Sequence, residues 1–426
     1  MKKFISLLMV LTMLALCACG QNDQSTNETA DQNTAGDSTQ TEEPKAYGLY
    51  YEFSGLPTTE TAMTVDGNEI PADLYCYLIE SNCTNLTNEI LTYYNYYGVY
   101  EECVNEDQSI NWDGTLYTDM TAGQYVRFLT EDSLTFYATI ENLAEELGVS
   151  LTDEDLSAID TAYANAVTAQ GGDVLFDMTL NTIGLRPDSF KRPLAVSRLF
   201  RCLTELVGQE GSPLYLDPAD YSQYAAYADH ILLSTVDSAT GAALSEDEIA
   251  AKRATAEELL SQLQAVEGEE RMELFTKLAD EHSEDPGRQT NPTGYVFEPG
   301  EMVAEFETAA FALQPGALSD IVETSYGYHI LLCRDLQEGL ESQPDRKQSV
   351  FEKHLSSLLR VEMDQAEVVF SDALDSFDVK DFYTQYTEAA AAAAGESSDS
   401  TGDEASSESS SGEGDASGNK SSDAAQ

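Results

Sequence analysis

Basic side chains are scarce in this chain of 426 residues: 21 Lys and Arg stand against 77 Asp and Glu, for a formal net charge of −56. A field of that sign repels phosphate backbones and anionic lipid head groups, which excludes a nucleic-acid partner. Its plain account is solvation of the surface, and a preference for basic partners is compatible with it. The seven cysteines include no CxxC pair, so no zinc or redox signature appears and no metal is expected. Cys76 and Cys83, if they share a helix, lie two turns (about 10 Å) apart and out of disulfide reach. With Cys103, Cys202 and Cys333 they read as buried free thiols, although long-range bridges stay open. The run from Phe4 to Leu16 is too short for an unbroken membrane span. Long βαβ repeats around a cleft, as a solute-binding protein would need, are also missing. Histidine is scarce too, with four in the chain.

What is present sorts into segments. Met1-Lys2-Lys3 and the apolar run after it form a secretory signal over residues 1–18. The signal ends in Leu16-Cys17-Ala18-Cys19-Gly20, which resembles a bacterial lipobox. Cleavage after Ala18 would leave Cys19 as the lipid-carrying residue. Residues 19–60 are that cysteine and a tether, which over 21–45 is polar enough to stay disordered. At the far end, 389–426 passes from an alanine run into Ser, Gly, Glu and Asp and reads as a solvated tail.

Between these ends lie some 340 residues, enough for two cores. In the first part, 61–226, Asp66-Gly67 marks a tight turn between short β-prone runs. Pro71 suits the first turn of a helix with Leu74, Leu78 and Ile79 at helical spacing. One helix stops at Gly148 and another is capped by Thr152; Leu199, Leu203 and Leu206 share a face farther on. The cluster Tyr93-Tyr94-Asn95-Tyr96-Tyr97 reads either as core and boundary residues or as the lining of a groove. In the last part, 338–388, a helix from Arg346 to about Phe377 carries Val350, Phe351, Leu355, Leu358, Leu359 and Met363 on an apolar stripe that needs a partner.

The middle part, 227–337, holds His230 in Ala228-Asp-His-Ile-Leu-Leu-Ser-Thr235 and His329 in Tyr326-Gly-Tyr-His-Ile-Leu-Leu-Cys333. Ser245 to Glu248 is a capping box, and Ala256, Leu259, Leu260 and Leu263 form a helical stripe. The order strand, helix, helix, strand, helix, strand, strand resembles the parvulin-type peptidyl-prolyl isomerases over about a quarter of the chain. A V-D-G-N turn and helical bundle placed before such a unit are similar to SurA- and PrsA-like foldases.

The resemblance implies an α+β protein. Its chaperone domain would combine the N-terminal helices with the C-terminal helix, and the four-stranded parvulin domain would be inserted between them. It also implies roles: His230, His329, Asp285 and the Thr324 hydroxyl at the reacting peptide, with Phe297, Met302, Phe306 and Tyr295 around the proline ring. No cofactor is implied. The partners would be unfolded or nascent secreted polypeptides with Xaa-Pro bonds, met at the extracytoplasmic face of a cell membrane through the lipid anchor. The alternative is a holdase with a silent parvulin unit. On the residues alone, the two histidines could be structural, the apolar three could be core, and Asp285 before Pro286 could serve a turn. His282 and His354 are expected to face solvent. Gly294 stands where many parvulins have a pocket Leu, so Tyr295 fills the space or the pocket is shallower. The loop after Leu233 lacks an Arg/Lys cluster, so no phosphate-directed specificity follows.

Overall fold

The computed structural model describes residues 48–117 and 119–399. The expected signal, Cys19, most of the tether and the tail beyond 399 lie outside the described residues. The protein is mostly helical, with small sheets.

The first strands are β1 (Thr61–Val65) and β2 (Asn68–Pro71). Asp66 and Gly67 both take positive φ, 49° and 84°, the two-residue turn whose twist matches that of the strands it joins. Pro71 then caps helix α2 (Ala72–Tyr97), which ends at Gly98 in the left-handed conformation. It is preceded by a short helix α1 (Gly48–Ser54), in which Tyr50 is fully buried. The expected tether therefore stops short of residue 48, because Tyr50 and Leu56 have a core to enter. Strands β3 (Thr115–Tyr117) and β4 (Met120–Thr121) form a small ribbon. Helix α3 (Ala122–Leu147) starts at a Thr121 capping box and stops at Gly148, and α4 (Asp153–Ala169) starts at a Thr152 box. Helices α5 (Asp173–Ile183) and α6 (Pro187–Val207) complete this part. On α6 the fully buried row is Val196, Phe200, Leu203 and Val207, while Leu199 and Leu206 flank it half-buried.

The chain leaves this body and returns to it. Beyond residue 343, α11 (Pro344–Gln365) lies against α6 and α3, with Val350, Leu355 and Leu359 fully buried. The expected single helix to Phe377 ends at Gln365 instead. Val368, Val369 and Phe370 find the free edge of β1, and as β9 (Val368–Phe370) they pair with it, Met63 opposite Phe370 and Val65 opposite Val368. Runs rich in Val and Phe favour a pleated edge over a helix when one is open to them. Helix α12 (Val379–Asp399) follows, with Phe382 buried against Tyr50 of α1. The alanine run expected to begin the tail at 389 belongs to α12, as alanine's helix propensity favours.

Residues 226–333 make their own sheet: β5 (Ala226–Ser234), β6 (Tyr295–Phe297), β7 (Val322–Thr324) and β8 (Gly327–Cys333), in the order β6-β5-β8-β7 and antiparallel throughout. Helices α7 (Glu246–Gln264) and α8 (Gly268–His282) cover one face, where Ile231, Leu233, Ile330 and Leu332 meet Leu259, Leu263 and Phe275. Helix α9 (Ala304–Phe311) covers the other, where Ala226, Ala228 and Leu331 meet Phe297 and Phe306. A short α10 (Leu336–Glu341) leads on to α11.

Leu359→Ala should cost the protein about 2–5 kcal/mol, read as a lower urea midpoint at unchanged slope. An unchanged midpoint would mean that α11 does not belong to the core it packs on.

Candidate functional site

Pairing between β5 and β8 sets His230 opposite Leu331 and His329 opposite Leu232. Strand side chains alternate faces, so the two histidines project from the same side as diagonal neighbours. Their rings lie 5.3 Å apart, and Phe306 meets both edge-on, at 5.2 and 5.5 Å. Thr324, next to the β7–β8 turn, holds the far side: its Oγ1 is 2.9 Å from His329 Nε2 and accepts the Tyr326 backbone N–H at 3.1 Å. His329 Nδ1 is buried and makes no hydrogen bond among the described residues.

Asp285 arrives from the loop after α8. Ser283 and Glu284 tie that loop to β5, where the Leu232 N–H donates to Ser283 Oγ at 3.1 Å and the Glu284 N–H to the Leu232 carbonyl at 2.8 Å. The two carboxylate oxygens of Asp285 then have different partners. Its Oδ1 accepts the Gly287 N–H at 3.0 Å, shaping the turn after Pro286. Its Oδ2 accepts the Tyr295 hydroxyl at 2.6 Å and lies 3.7 Å from His230 Nε2. Tyr295 also stacks beside the His230 ring, centroids 5.8 Å apart. It can do so because Gly294, at φ 96°, lies against β5 so closely that a Cβ would come within 2.3 Å of the Ala228 carbonyl oxygen. A leucine does not fit there, and Tyr295 takes the adjoining space.

The apolar wall is Phe297 at the end of β6, Phe306 on α9, and Met302. Phe297 and Phe306 are 5.8 Å apart and almost wholly buried. Met302 precedes α9 instead of sharing a turn with Phe306, because Val303 is the helix cap; it still packs on the same cluster. All eight expected site residues within the parvulin-like unit thus gather on one face of one sheet.

Burial sets the electrostatics. It lowers the His230 pKa against the pull of Asp285. It lowers that of His329 to about 3, helped by the neighbouring His230. Both rings are therefore neutral near pH 7. Burial first, then the bond to Asp285, hold the Tyr295 phenol protonated far above its usual range. The site presents neutral imidazoles and a hydroxyl-bonded carboxylate beside an apolar wall, with no cation at its centre.

Other polar groups escaped the sequence reading. On the opposite face of β5, Asp229 is almost fully buried and receives Arg288 Nη1 at 2.9 Å and Arg334 Nη2 at 2.8 Å. Its Oδ1 also accepts the His230 backbone N–H at 2.8 Å. An aspartate inside an apolar strand was the available signal, but its arginines stand 59 and 105 residues away. Glu298, just after Phe297, pairs with Lys353 of α11, and Glu301 takes Arg346 at 2.7 Å. His282 is exposed as expected. His354 is not: its Nδ1 is 3.0 Å from the Tyr224 hydroxyl and its ring is half-buried, because α11 is packed here.

Residues 230–335 match the rotamase family model, described as the PPIC-type PPIase domain. The foldase protein PrsA of Halalkalibacterium halodurans is 29% identical over 242 residues, which cover 56% of this chain and 60% of that one. The foldase protein PrsA of a Geobacillus species is 41% identical over 106 residues, 24% of this chain and 36% of its own. The match thus spans less than two thirds of the length of either relative. A crystal structure of the peptidylprolyl isomerase PrsA from Bacillus cereus aligns at 21% identity and a TM-score of 0.28, covering 65% of this chain and 99% of that one. The chain carries a parvulin-type isomerase domain and is PrsA-like.

Neutral buried histidines make stability depend on pH. An unfolded His329 takes a proton near pH 6.5, whereas in the fold it stays neutral down to about 3. Its contribution is therefore complete above about pH 6.5 and is lost as the pH falls through that window. From pH 7 to 5 the protein should lose up to about 2 kcal/mol more stability than His329→Asn. Equal losses in urea titrations at the two pH values would show that His329 is solvated.

Proposed function

We propose that this chain, bearing a parvulin-type isomerase domain of PrsA-like kind, is an extracytoplasmic peptidyl-prolyl cis-trans isomerase and foldase for secreted polypeptides. The observation that carries the proposal is the convergence of His230, His329, Asp285 and Thr324 with Phe297, Met302 and Phe306 on one face of the sheet.

The reaction breaks no bond. Its barrier of roughly 18–20 kcal/mol is resonance in the amide C–N bond. As the amide twists, its carbonyl oxygen loses partial negative charge and its nitrogen recovers a lone pair. In the proposed mechanism Phe297, Met302 and Phe306 enclose the proline ring and exclude water from the peptide. The Asp285 carboxylate faces the carbonyl oxygen, where negative charge raises the energy of the planar form more than that of the twisted one. Neutral His230 and His329 serve this better than imidazolium rings would, since a cation beside the oxygen would favour the planar form. Thr324 fixes the His329 ring, and Tyr295 fixes the Asp285 carboxylate. No metal or cofactor takes part.

In this reading the helical body is a chaperone domain built from both ends of the chain, 61–226 with 338–388, and 227–337 is inserted in it. The shared core of α3, α6 and α11 supports the arrangement. Lipidation at Cys19, after removal of residues 1–18, would hold the protein at the outer face of the cell membrane. Clients would be unfolded or nascent chains with Xaa-Pro bonds.

A protease-coupled or NMR exchange assay on an Xaa-Pro peptide tests the proposal. Asp285→Ala should lower kcat/KM at least tenfold with an unchanged circular dichroism spectrum; activity at the parent level would remove the carboxylate from the mechanism. Phe306→Ala should raise KM and also cost about 3–5 kcal/mol of stability, so it is read at a temperature where the domain stays folded. A parent protein that accelerates no Xaa-Pro peptide, yet suppresses aggregation of an unfolded client, would replace this reading with a holdase.

A further inference from the structure

The last turns of α2 put large side chains where a soluble protein rarely leaves them. Tyr96 and Tyr97 are 82% and 72% exposed, and Tyr93 is 44% exposed. The rings are gathered, not scattered: Tyr93 lies 5.6 Å from Tyr97 and 6.1 Å from Tyr100, and Tyr97 lies 6.5 Å from Tyr96. The backbone is bent to achieve this. Tyr100 takes φ 63°, a left-handed conformation uncommon for a non-glycine residue and unusual for an aromatic one, and so returns its ring onto Tyr93. Contiguous apolar surface of this kind marks a contact with something else.

The surroundings say what that partner is. From residue 46 to residue 126 the sequence contains no lysine and no arginine, while it contains thirteen Asp and Glu. Glu89 lies one turn before Tyr93 on α2 and is half-buried; burial raises the phenol pKa values of Tyr100, Tyr117 and Tyr125, and the Glu89 charge adds to it. Glu101 and Glu102 follow Tyr100 directly and are exposed. Among the described residues these three carboxylates form no ion pair. The helix also ends here, adding the negative end of its dipole. Tyrosine faces attract cations, guanidinium above all, and unpaired carboxylates do the same.

We propose that this tyrosine-faced, carboxylate-rimmed end of α2 is a docking surface for lysine- and arginine-bearing segments of unfolded polypeptide. It accepts the cationic heads on Glu101, Glu102 and the ring faces, and their aliphatic stems on Tyr93, Tyr96 and Tyr97. A second copy of the chain is a poor occupant, because it brings the same negative surface to the contact. The surface lies in the helical body, apart from the isomerase site, and its binding needs no Xaa-Pro bond.

The test uses the full chain and two labelled, unstructured, proline-free peptides of equal length and leucine content, one bearing Arg and Lys and the other Glu in their place. Fluorescence anisotropy should show the basic peptide binding at least tenfold more tightly, and raising salt from 50 to 500 mM should weaken it as Coulomb screening requires. Tyr96→Ser/Tyr97→Ser and, separately, Glu101→Gln/Glu102→Gln should each weaken it at least fivefold while leaving melting and turnover of a short neutral Xaa-Pro peptide unchanged. Glu269→Gln/Glu270→Gln, on the exposed start of α8, removes the same charge elsewhere and should change binding less than twofold. Equal weakening by that control would overturn the proposal in favour of a general negative field. So would retention of binding by the tyrosine variant, or a dimer in ultracentrifugation that this variant abolishes. Loss of isomerase activity in the parent protein would bear on the isomerase reading and not on this one.

Discussion

Seven consecutive residue pairs between β5 and β8 hold the isomerase unit in register. That pairing is the constraint on which the site depends. A slip of one residue would turn His230 and His329 away from each other and push Ile231 and Ile330 out of the helix-covered face. Neither face tolerates the exchange: one is lined by aliphatic side chains under α7 and α8, the other by aromatic rings under α9. The hydrophobic pattern on the two faces therefore fixes the geometry of the site. Thr324 and Asp285 then refine what the ladder has set.

Beneath the site, Asp229 and its two arginines tie distant pieces of chain to the middle of β5. A buried carboxylate with two guanidinium partners is not an efficient source of stability, since taking these ions out of water costs as much as their attraction returns. Its use here is positional. Asp229 accepts the His230 backbone N–H, and Arg288 belongs to the turn that Asp285 opens. The two faces of the strand thus share one anchor. Removing Arg288 would leave Asp229 with Arg334 as its one guanidinium partner and would disturb the Asp285 loop from behind.

Much of this was legible in the residues. Two short strand-like runs located the histidines, a cap at Thr152 and a capping box at Ser245 fixed helix starts, and Asp66-Gly67 announced its hairpin. What could not be read depended on partners far away in the chain. Nothing near Val368 says that an edge of β1 is open to it, so the helix seemed to run on. Nothing near His354 says that Tyr224 will face it. Turn and site were rival readings of Asp285 in the sequence, yet the turn does not take it out of the site, because a carboxylate has two oxygens and the turn uses only one. The weak periodicity of the Tyr93–Tyr97 cluster left core and surface undecided, and the structure places it largely on the surface.

The pairing of β1 with β9 joins residues separated by some three hundred positions. A chain synthesised in N-to-C order presents the β1–β2 hairpin long before its third strand exists. The sheet of 226–333 meets no such delay, since all its partners lie within about a hundred residues. Contacts of short sequence separation form sooner than long ones. The isomerase unit would therefore be assembled while the helical body still waits with an open strand edge and an unfilled core, and the last segment to arrive, α11 through α12, closes both. The helical body would thus be the last part of this molecule to close.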